Sequence, residues 1–236
     1  MQQDKLIKRD GKVLLNSSER KIKIVAVIPF FNEKKFVFNV VRRTLNFVDF
    51  IIAIDDGSTD KSSDLLNDIE RVILIRNEMN FGKGFALQKG FDKAVELKSD
   101  IIVTLDADEQ HEPELIPLFI EGIKNYDIVI GNRLNNLRTM PLHRRLSNKL
   151  TSILLSKKLG VEIKDSQCGF RAYRLKVLEK IKTEFHGFEA ESEIIVKAAR
   201  ENFKISFIDI PTIYGNQESK MKSIQAIKGF IKVLMI

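Results

Sequence analysis

Asp106 and Asp108 stand one residue apart, directly after the apolar run Ile101-Ile102-Val103-Thr104-Leu105. Two carboxylates leaving a rigid strand at that spacing can meet one hard cation. An oxygen-only donor set with an open shell suits Mg2+ or Mn2+, which then bridges to a substrate's phosphates. Gln110 and His111 are near enough to add a ligand or to support one. A solvated acidic turn is the plain alternative, because Glu109, Glu112 and Glu114 follow. The apolar strand before the pair favours the metal. Asp55-Asp56-Gly57-Ser58 ends a second apolar run, Phe50-Ile51-Ile52-Ala53-Ile54. A carboxylate there can accept hydrogen bonds from ribose hydroxyls or a base N–H, and Gly57 permits a tight turn. Ser58 or Asp60 can cap a helix at the same place. Asn80-Phe81-Gly82-Lys83-Gly84 is glycine-rich but lacks the spacing and the Lys-Ser/Thr ending of a Walker loop. Lys83 faces either a phosphate or solvent.

Arg133, Arg138, His143, Arg144 and Arg145 form a cationic stretch after the run Ile128-Val129-Ile130. Guanidinium groups grip phosphate with paired donors. For most of these five a solvated helix face explains the charge as well. Arg133 differs because it sits at a strand end. Further on, Asp165-Ser166-Gln167-Cys168-Gly169-Phe170-Arg171 reads as a loop with a carboxylate and a packed thiol. Glu189, Glu191 and Glu193 share a face if extended and fan out if helical.

The elements that position these groups alternate. Apolar strands are expected at 22–28, 50–54, 72–75, 101–105, 128–130 and 204–210. Helices are expected near 36–45, 62–70, 85–97, 114–124, 142–159 and 189–201. Strand–helix units of this length imply an α/β fold with a mostly parallel twisted sheet. Ligands bind beyond the carboxyl ends of such strands. Asn32-Glu33, Asp55-Asp56, Asp106-Ala107-Asp108 and Gly131-Asn132-Arg133 all sit at those ends, which points to one shared cleft.

The chain has 236 residues, with 39 Lys and Arg against 32 Asp and Glu, a net charge of +7. A hydrophobic fraction of 44% and a charged fraction of 30% exclude a disordered or collagen-like chain. The single cysteine, Cys168, excludes an intramolecular disulfide and a cysteine-rich zinc module, which fits a reducing compartment. The basic excess favours anionic partners without choosing among them. No aromatic-studded basic strand or recognition helix is visible, so nucleic acid is not expected as a partner. The start shows no secretory signal, and no run approaches the ~18–20 apolar residues of a spanning helix. A cytoplasmic protein is expected, with residues 1–21 an extension, 22–221 one domain and 222–236 an amphipathic helix. In that last segment Ile224, Ile227, Ile231 and Leu234 share a face, suited to a bilayer surface or to packing on the chain's own core or a partner.

Taken together, Val27-Ile28-Pro29-Phe30-Phe31-Asn32-Glu33, Ile54-Asp55-Asp56-Gly57-Ser58, Leu105-Asp106-Ala107-Asp108-Glu109-Gln110-His111 and Gly131-Asn132-Arg133 resemble the inverting family-two glycosyltransferases. The nearest likeness is to dolichol-phosphate mannose synthases and bacterial polyprenyl-phosphate glycosyltransferases. His143-Arg144-Arg145-Leu146-Ser147-Asn148, the 165–172 block and Gly187-Phe188-Glu189-Ala190-Glu191-Ser192-Glu193 look like the same family's later blocks. The resemblance implies the GT-A fold, a GDP- or UDP-hexose donor and a polyprenyl phosphate acceptor. It places Pro29, Phe31 and Glu33 around the base and ribose, with Asp55 and Asp56 on the nucleoside; Lys83, read from its own loop, is the further nucleotide-binding candidate. It places Asp106, Asp108 and Gln110 on the metal and diphosphate. Arg133, Arg144 and Ser147 would take the acceptor phosphate, and Asp165 and Glu193 would line the sugar or acceptor pocket as possible bases. The late block carries no arginine before Ser219-Lys220, so Lys220 is expected to take a phosphate in its stead. Peripheral attachment to the cytoplasmic membrane face is the expected setting. Two other readings stay open: transfer to a sugar hydroxyl in cell-surface polysaccharide synthesis, and an inactive nucleotide-sugar-binding protein. A nucleotidyltransferase is disfavoured because Pro29-Phe30-Phe31-Asn32-Glu33 occupies the place of its glycine-rich basic loop.

Overall fold

The computed structural model describes residues 8–9, 12–13, 21–135, 140–213 and 223–236, of which 8–9, 12–13, 143 and 223–226 as backbone only. Lys220 and Arg138 lie outside the described residues. β1 (Lys8–Arg9) and β2 (Lys12–Val13) pair antiparallel. The main sheet has seven strands in the order β5-β4-β3-β6-β8-β7-β9. They are β3 (Ile24–Phe30), β4 (Phe50–Asp55), β5 (Val72–Arg76), β6 (Ile101–Thr104), β7 (Ile128–Asn132), β8 (Arg171–Arg174) and β9 (Ile205–Asp209). β3, β4, β5 and β6 run parallel, and β7 runs parallel to β9. Only β8 is reversed, antiparallel to both β6 and β7.

Near-continuous apolar strands form because helices cover both faces of such a sheet. Val25 to Ile28 in β3 and Ile51 to Ile54 in β4 are wholly buried. α2 (Lys83–Glu96) packs across β3 and β4, whereas α3 (Ile116–Ile123) packs on β7 and β8 and α1 (Val37–Thr44) meets the turn before α3. Pro29 is tolerated in a central strand for a local reason. The Val27 carbonyl accepts from the Leu105 N–H on the β6 side, so the Pro29 nitrogen two residues on faces that side too. There β6 has already ended at Thr104, and no ladder bond is lost.

β4 and β6 flank β3, and the chain leaves β3 in opposite directions toward them. This is the topological switch point at which an α/β sheet opens a crevice. The residues after β3, β4, β6 and β7 share that edge. Because β8 is reversed, its beginning lies there too, and Gly169 and Phe170 come with it. The Thr104 hydroxyl donates to the Gly169 carbonyl at 2.8 Å, and the Gly131 N–H donates to the Phe170 carbonyl at 2.9 Å.

Two sequence expectations need correction, and a third is decided. Residues 62–70 form only a 3-10 turn, Ser63–Leu66, in a connection whose entry is fixed by Asp60, which accepts from the Lys34 and Ser62 N–H groups. β8 and the short α5 (Leu175–Lys180) fall where no regular element was expected. β8 reads Arg-Ala-Tyr-Arg, and its charged ends mask a strand in which Arg171 is 1% exposed. The last helix, α7 (Ser223–Met235), is part of the folded body: Val233 is fully buried, and α7 packs on α4 (Leu142–Leu159) and α6 (Ala190–Arg200).

α2 can lie close to β3 only because position 90 has no side chain. A Cβ at Gly90 would sit 2.3 Å from Val27 Cγ1. Alanine normally stabilises a helix interior by about 1 kcal/mol over glycine. Here overpacking wins, and Gly90→Ala is expected to destabilise by about 1–3 kcal/mol in urea denaturation.

Candidate active site

The cleft edge is built by mutual ties between loops. Asn32, with φ 52°, turns the chain out of β3. Its side-chain carbonyl accepts from the Thr59 N–H at 2.8 Å, and its own N–H donates to the Ser58 hydroxyl at 2.9 Å. Asp55 accepts from the Ser58 N–H at 2.8 Å. Gly57 has φ +78°, and a Cβ there would lie 2.4 Å from the Met79 carbonyl carbon. Asp56 accepts from Asn77 Nδ2 at 2.8 Å, from the Phe81 N–H at 3.1 Å and from the Gly82 N–H at 2.7 Å. Both aspartates are 3% exposed. The Asp55 carboxylate fixes the turn at Ser58, and that of Asp56 holds the loop that carries Lys83.

That loop presses against another. The Gly84 N–H donates to the His186 carbonyl at 2.7 Å. A Cβ at Gly82 would lie 2.4 Å from the same oxygen, and one at Gly84 would lie 2.2 Å from the Phe185 carbonyl. Lys83, at the first position of α2, therefore projects between two carboxylates. Its Nζ lies 2.5 Å from Asp106 Oδ1 and 3.0 Å from Glu191 Oε1. Burial alone would lower the Lys83 ammonium, but Asp106 and Glu191 override it and hold its pKa above the usual lysine value. Burial likewise opposes ionisation of Asp106, and Lys83 wins, keeping this carboxyl below the usual range. Asp108 goes the other way: burial, then repulsion from Asp106, pushes it up to about 6. Its Oδ1 accepts from the Gln110 N–H at 3.0 Å. Gln110 thus holds Asp108 through its backbone.

These residues fit a divalent ion. The donors are hard oxygens, and repulsion between Asp106 and Asp108 marks two negative groups close together. Asp106 is cradled by Gly169, where a Cβ would lie 2.6 Å from its Oδ2. No group of three His, Cys, Asp or Glu side chains closes into a cage among the described residues. Two carboxylates with the remaining positions left to water and phosphate is the usual manner of Mg2+.

His111 does not face the cleft. It is 3% exposed, its Nδ1 accepts from the Asp106 N–H at 3.3 Å, and its ring lies against Phe170. Burial lowers its pKa to about 4, so the ring is neutral and acts as an acceptor behind the Asp106–Asp108 turn. Cys168 Sγ is 4.0 Å from His111 Nε2, and burial pushes the thiol up to about 12, in keeping with a packed, unreactive cysteine.

Two carboxylates expected as possible bases have partners within the fold. Arg133 Nε and Nη2 donate to Asp165 Oδ2 and Oδ1 at 2.9 and 3.1 Å, a bidentate pair with Asp165 wholly buried. Asp165 is a counter-ion to Arg133. Glu193, 1% exposed, accepts from the Glu184 N–H at 3.0 Å and from the Phe185 N–H at 3.0 Å, and pairs with Lys197 at 2.8 Å. It anchors the loop whose His186 carbonyl meets Gly84. The glutamate that pairs with Lys83 is Glu191, two residues earlier in the helix. Sequence spacing could not choose among the three glutamates; helical phase at the start of α6 does. Arg171 was also missed as a structural residue. Its guanidinium donates to the carbonyls of Cys168, Glu191 and Ser166 at 2.7, 2.7 and 3.0 Å, tying the 165–169 loop to α6.

Of the residues expected around a base, Pro29 is buried and Phe31 and Glu33 are half-buried at the end of β3. Arg144 is half-buried and Ser147 exposed on α4. A cavity of about 380 Å³ beside α4 is lined by Asn132, Arg145, Lys149, Ser152, Glu162 and Lys164 among others, and Asp106 is not part of it.

The fold and site define an α/β transferase of the GT-A type. Residues 25–182 match the model of glycosyl transferase family 2, and the chain belongs to that family. It is 34% identical over 215 residues to the UDP-N-acetylglucosamine–dolichyl-phosphate N-acetylglucosaminyltransferase of Methanococcus voltae, covering 81% of this chain and 86% of the relative. It is 30% identical over 207 residues to the undecaprenyl-phosphate 4-deoxy-4-formamido-L-arabinose transferase of Edwardsiella ictaluri, covering 83% of this chain and 61% of that one. Glucosyl-3-phosphoglycerate synthase from Mycobacterium tuberculosis, in complex with Mn2+ and UDP-glucose, superposes with a TM-score of 0.72 at 18% identity, covering 92% of this chain and 80% of that one.

The Arg133–Asp165 pair carries its own pH signature. Burial raises Asp165, but Arg133 beside it pulls the carboxyl below the usual 3.8. A depressed folded-state pKa gives stability that is complete above the unfolded value and lost as pH falls through the folded one. Asp165→Asn leaves Arg133 uncompensated and is expected to cost about 3–5 kcal/mol near neutral pH. The gap between the two proteins in chemical denaturation is expected to be constant above about pH 5 and to narrow as pH falls below about 4.

Proposed function

We propose that this chain moves a sugar from a nucleoside-diphosphate donor to a polyprenyl phosphate, with inversion and with Mg2+ or Mn2+ held by Asp106 and Asp108. A UDP-linked donor is favoured over a GDP-linked one by the donor in the name of the Methanococcus voltae relative. The observation that carries the reading is Lys83 set against Asp106 at the edge where β3, β4 and β6 end.

Breaking the sugar–phosphate bond leaves negative charge on a nucleoside diphosphate. When bound, the divalent ion supplies charge stabilisation at the diphosphate oxygens. Lys83, always charged at neutral pH, is preorganised at the same place and can pass from Asp106 to a departing phosphate oxygen. Asp55 and Asp56 keep the nucleoside wall and the Lys83 loop in register. Gln110 and His111 hold the backbone of the metal turn. A lipid phosphate is already ionised and needs positioning rather than a base. The commitment of Asp165 and Glu193 to Arg133 and to backbone amides supports that acceptor over a sugar hydroxyl. Arg133, held flat by Asp165, is the proposed contact for acceptor phosphate, with Arg144 and Ser147 nearby on α4 and Lys220 from the late block. Such an acceptor is dissolved in a bilayer, so the enzyme works at a membrane surface, proposed as the cytoplasmic face. No helix among the described residues is long and apolar enough to cross a membrane.

Three measurements test this. Thermal shift is expected to show stabilisation by a UDP-sugar that grows with Mn2+, and a larger response to GDP-sugars would overturn the donor assignment. Asp106→Asn is expected to lower turnover about 10²–10³-fold, and Lys83→Met about 10²-fold, while both keep the fold by circular dichroism. The anomeric configuration of the glycolipid product, read by NMR, is expected to be inverted relative to the donor, and retention would sink the mechanism.

A further inference from the structure

α4 presents an apolar stripe that the protein's own core does not use. Leu142, Leu146, Leu150 and Ile153 are 73%, 69%, 58% and 53% exposed. They recur at i, i+4, i+8 and i+11, within one side of a helix of 18 residues, about 27 Å long. The core takes a different face of the same helix, through Leu155, which is wholly buried. α7 repeats the arrangement. Val233 is buried, while Ile227, Ile231 and Met235 at i, i+4 and i+8 are 60%, 51% and 74% exposed. α4 and α7 touch, and Lys158 Nζ donates to the Leu234 carbonyl at 2.8 Å. Isolated surface leucines are common; two aligned stripes on adjoining helices are not.

Charge identifies the occupant. α4 and α7 together contain no Asp or Glu, yet carry Arg144, Arg145, Lys149, Lys157, Lys158, Lys228 and Lys232. Those seven equal the chain's whole net charge of +7, so the remaining residues balance at 32 of each sign. Arg145, Lys149 and Lys157 are exposed along the α4 stripe, and Lys228 and Lys232 along that of α7. Long cationic side chains beside an apolar stripe can reach lipid phosphates while the apolar groups enter the acyl boundary. A second copy of this chain would bring seven like charges against seven. Nucleic acid would leave the leucines in water.

We propose that α4 and α7 form a docking surface for a bilayer rich in anionic phospholipid. This deepens the proposed function, because it says how the cleft reaches a membrane-dissolved acceptor: α4 begins nine residues after Arg133. Its own evidence, however, is the stripes and the charge.

The test is co-sedimentation of the full chain with phosphatidylcholine vesicles, with or without phosphatidylglycerol. Binding is expected only with phosphatidylglycerol, weakening as salt rises. Leu146→Glu/Leu150→Glu is expected to lose about tenfold or more of that binding, and Arg145→Gln/Lys149→Gln roughly fivefold per charge removed. Circular dichroism and the thermal shift with UDP-sugar keep the fold and donor site in view. Turnover on a short-chain, water-soluble acceptor phosphate is expected to be unchanged in Leu146→Glu/Leu150→Glu. Equal recovery of the natural protein with and without anionic vesicles would overturn the proposal, as would a dimer by size-exclusion that the stripe variants convert to monomer. Vesicle binding without glycosyl transfer would leave the docking surface standing and sink the proposed function alone.

Discussion

The ammonium of Lys83, held between Asp106 and Glu191, is the interaction on which the cleft depends. Asp106 and Glu191 both meet this buried cation where the sheet opens, and it keeps Asp106 charged in a place that disfavours charge. Everything nearby serves to put Lys83 there. Asp56 gives its carboxylate to the amides of Phe81 and Gly82, and Glu193 gives its own to the loop that receives Gly84. The cost of burying these acids is offset because each one has backbone N–H donors or a cation as partner.

Much of this was legible in the residues alone. The apolar runs of β3, β4, β6 and β7 announce strands buried on both faces, and the polar clusters that follow them fall at one edge for the simple reason that these strands are co-directional. The Asp106–Asp108 turn was visible as Asp-x-Asp after an apolar strand, and the structure places it at that edge. Family membership came from the order of several modest motifs, none decisive alone.

What stayed hidden depends on partners distant in sequence. Arg171 looks like a surface residue until three carbonyls are seen around it, and so β8 was missed, together with the reversal that brings Gly169 under Asp106. Asp165 and Glu193 are carboxylates in suggestive motifs, but their roles are decided by Arg133, 32 residues away, and by the amides of 184–185. A residue type shows what a group can do; its neighbours decide whether that capacity is already used. The amphipathic reading of the last helix was incomplete in a similar way, since α7 has one apolar side for the core and another for the outside.

The glycine contacts between the Lys83 loop and the 185–187 loop have a mechanical meaning. Neither Gly82 nor Gly84 leaves slack against the His186 and Phe185 carbonyls. The two loops are therefore meshed like gear teeth, and neither can shift without the other giving way.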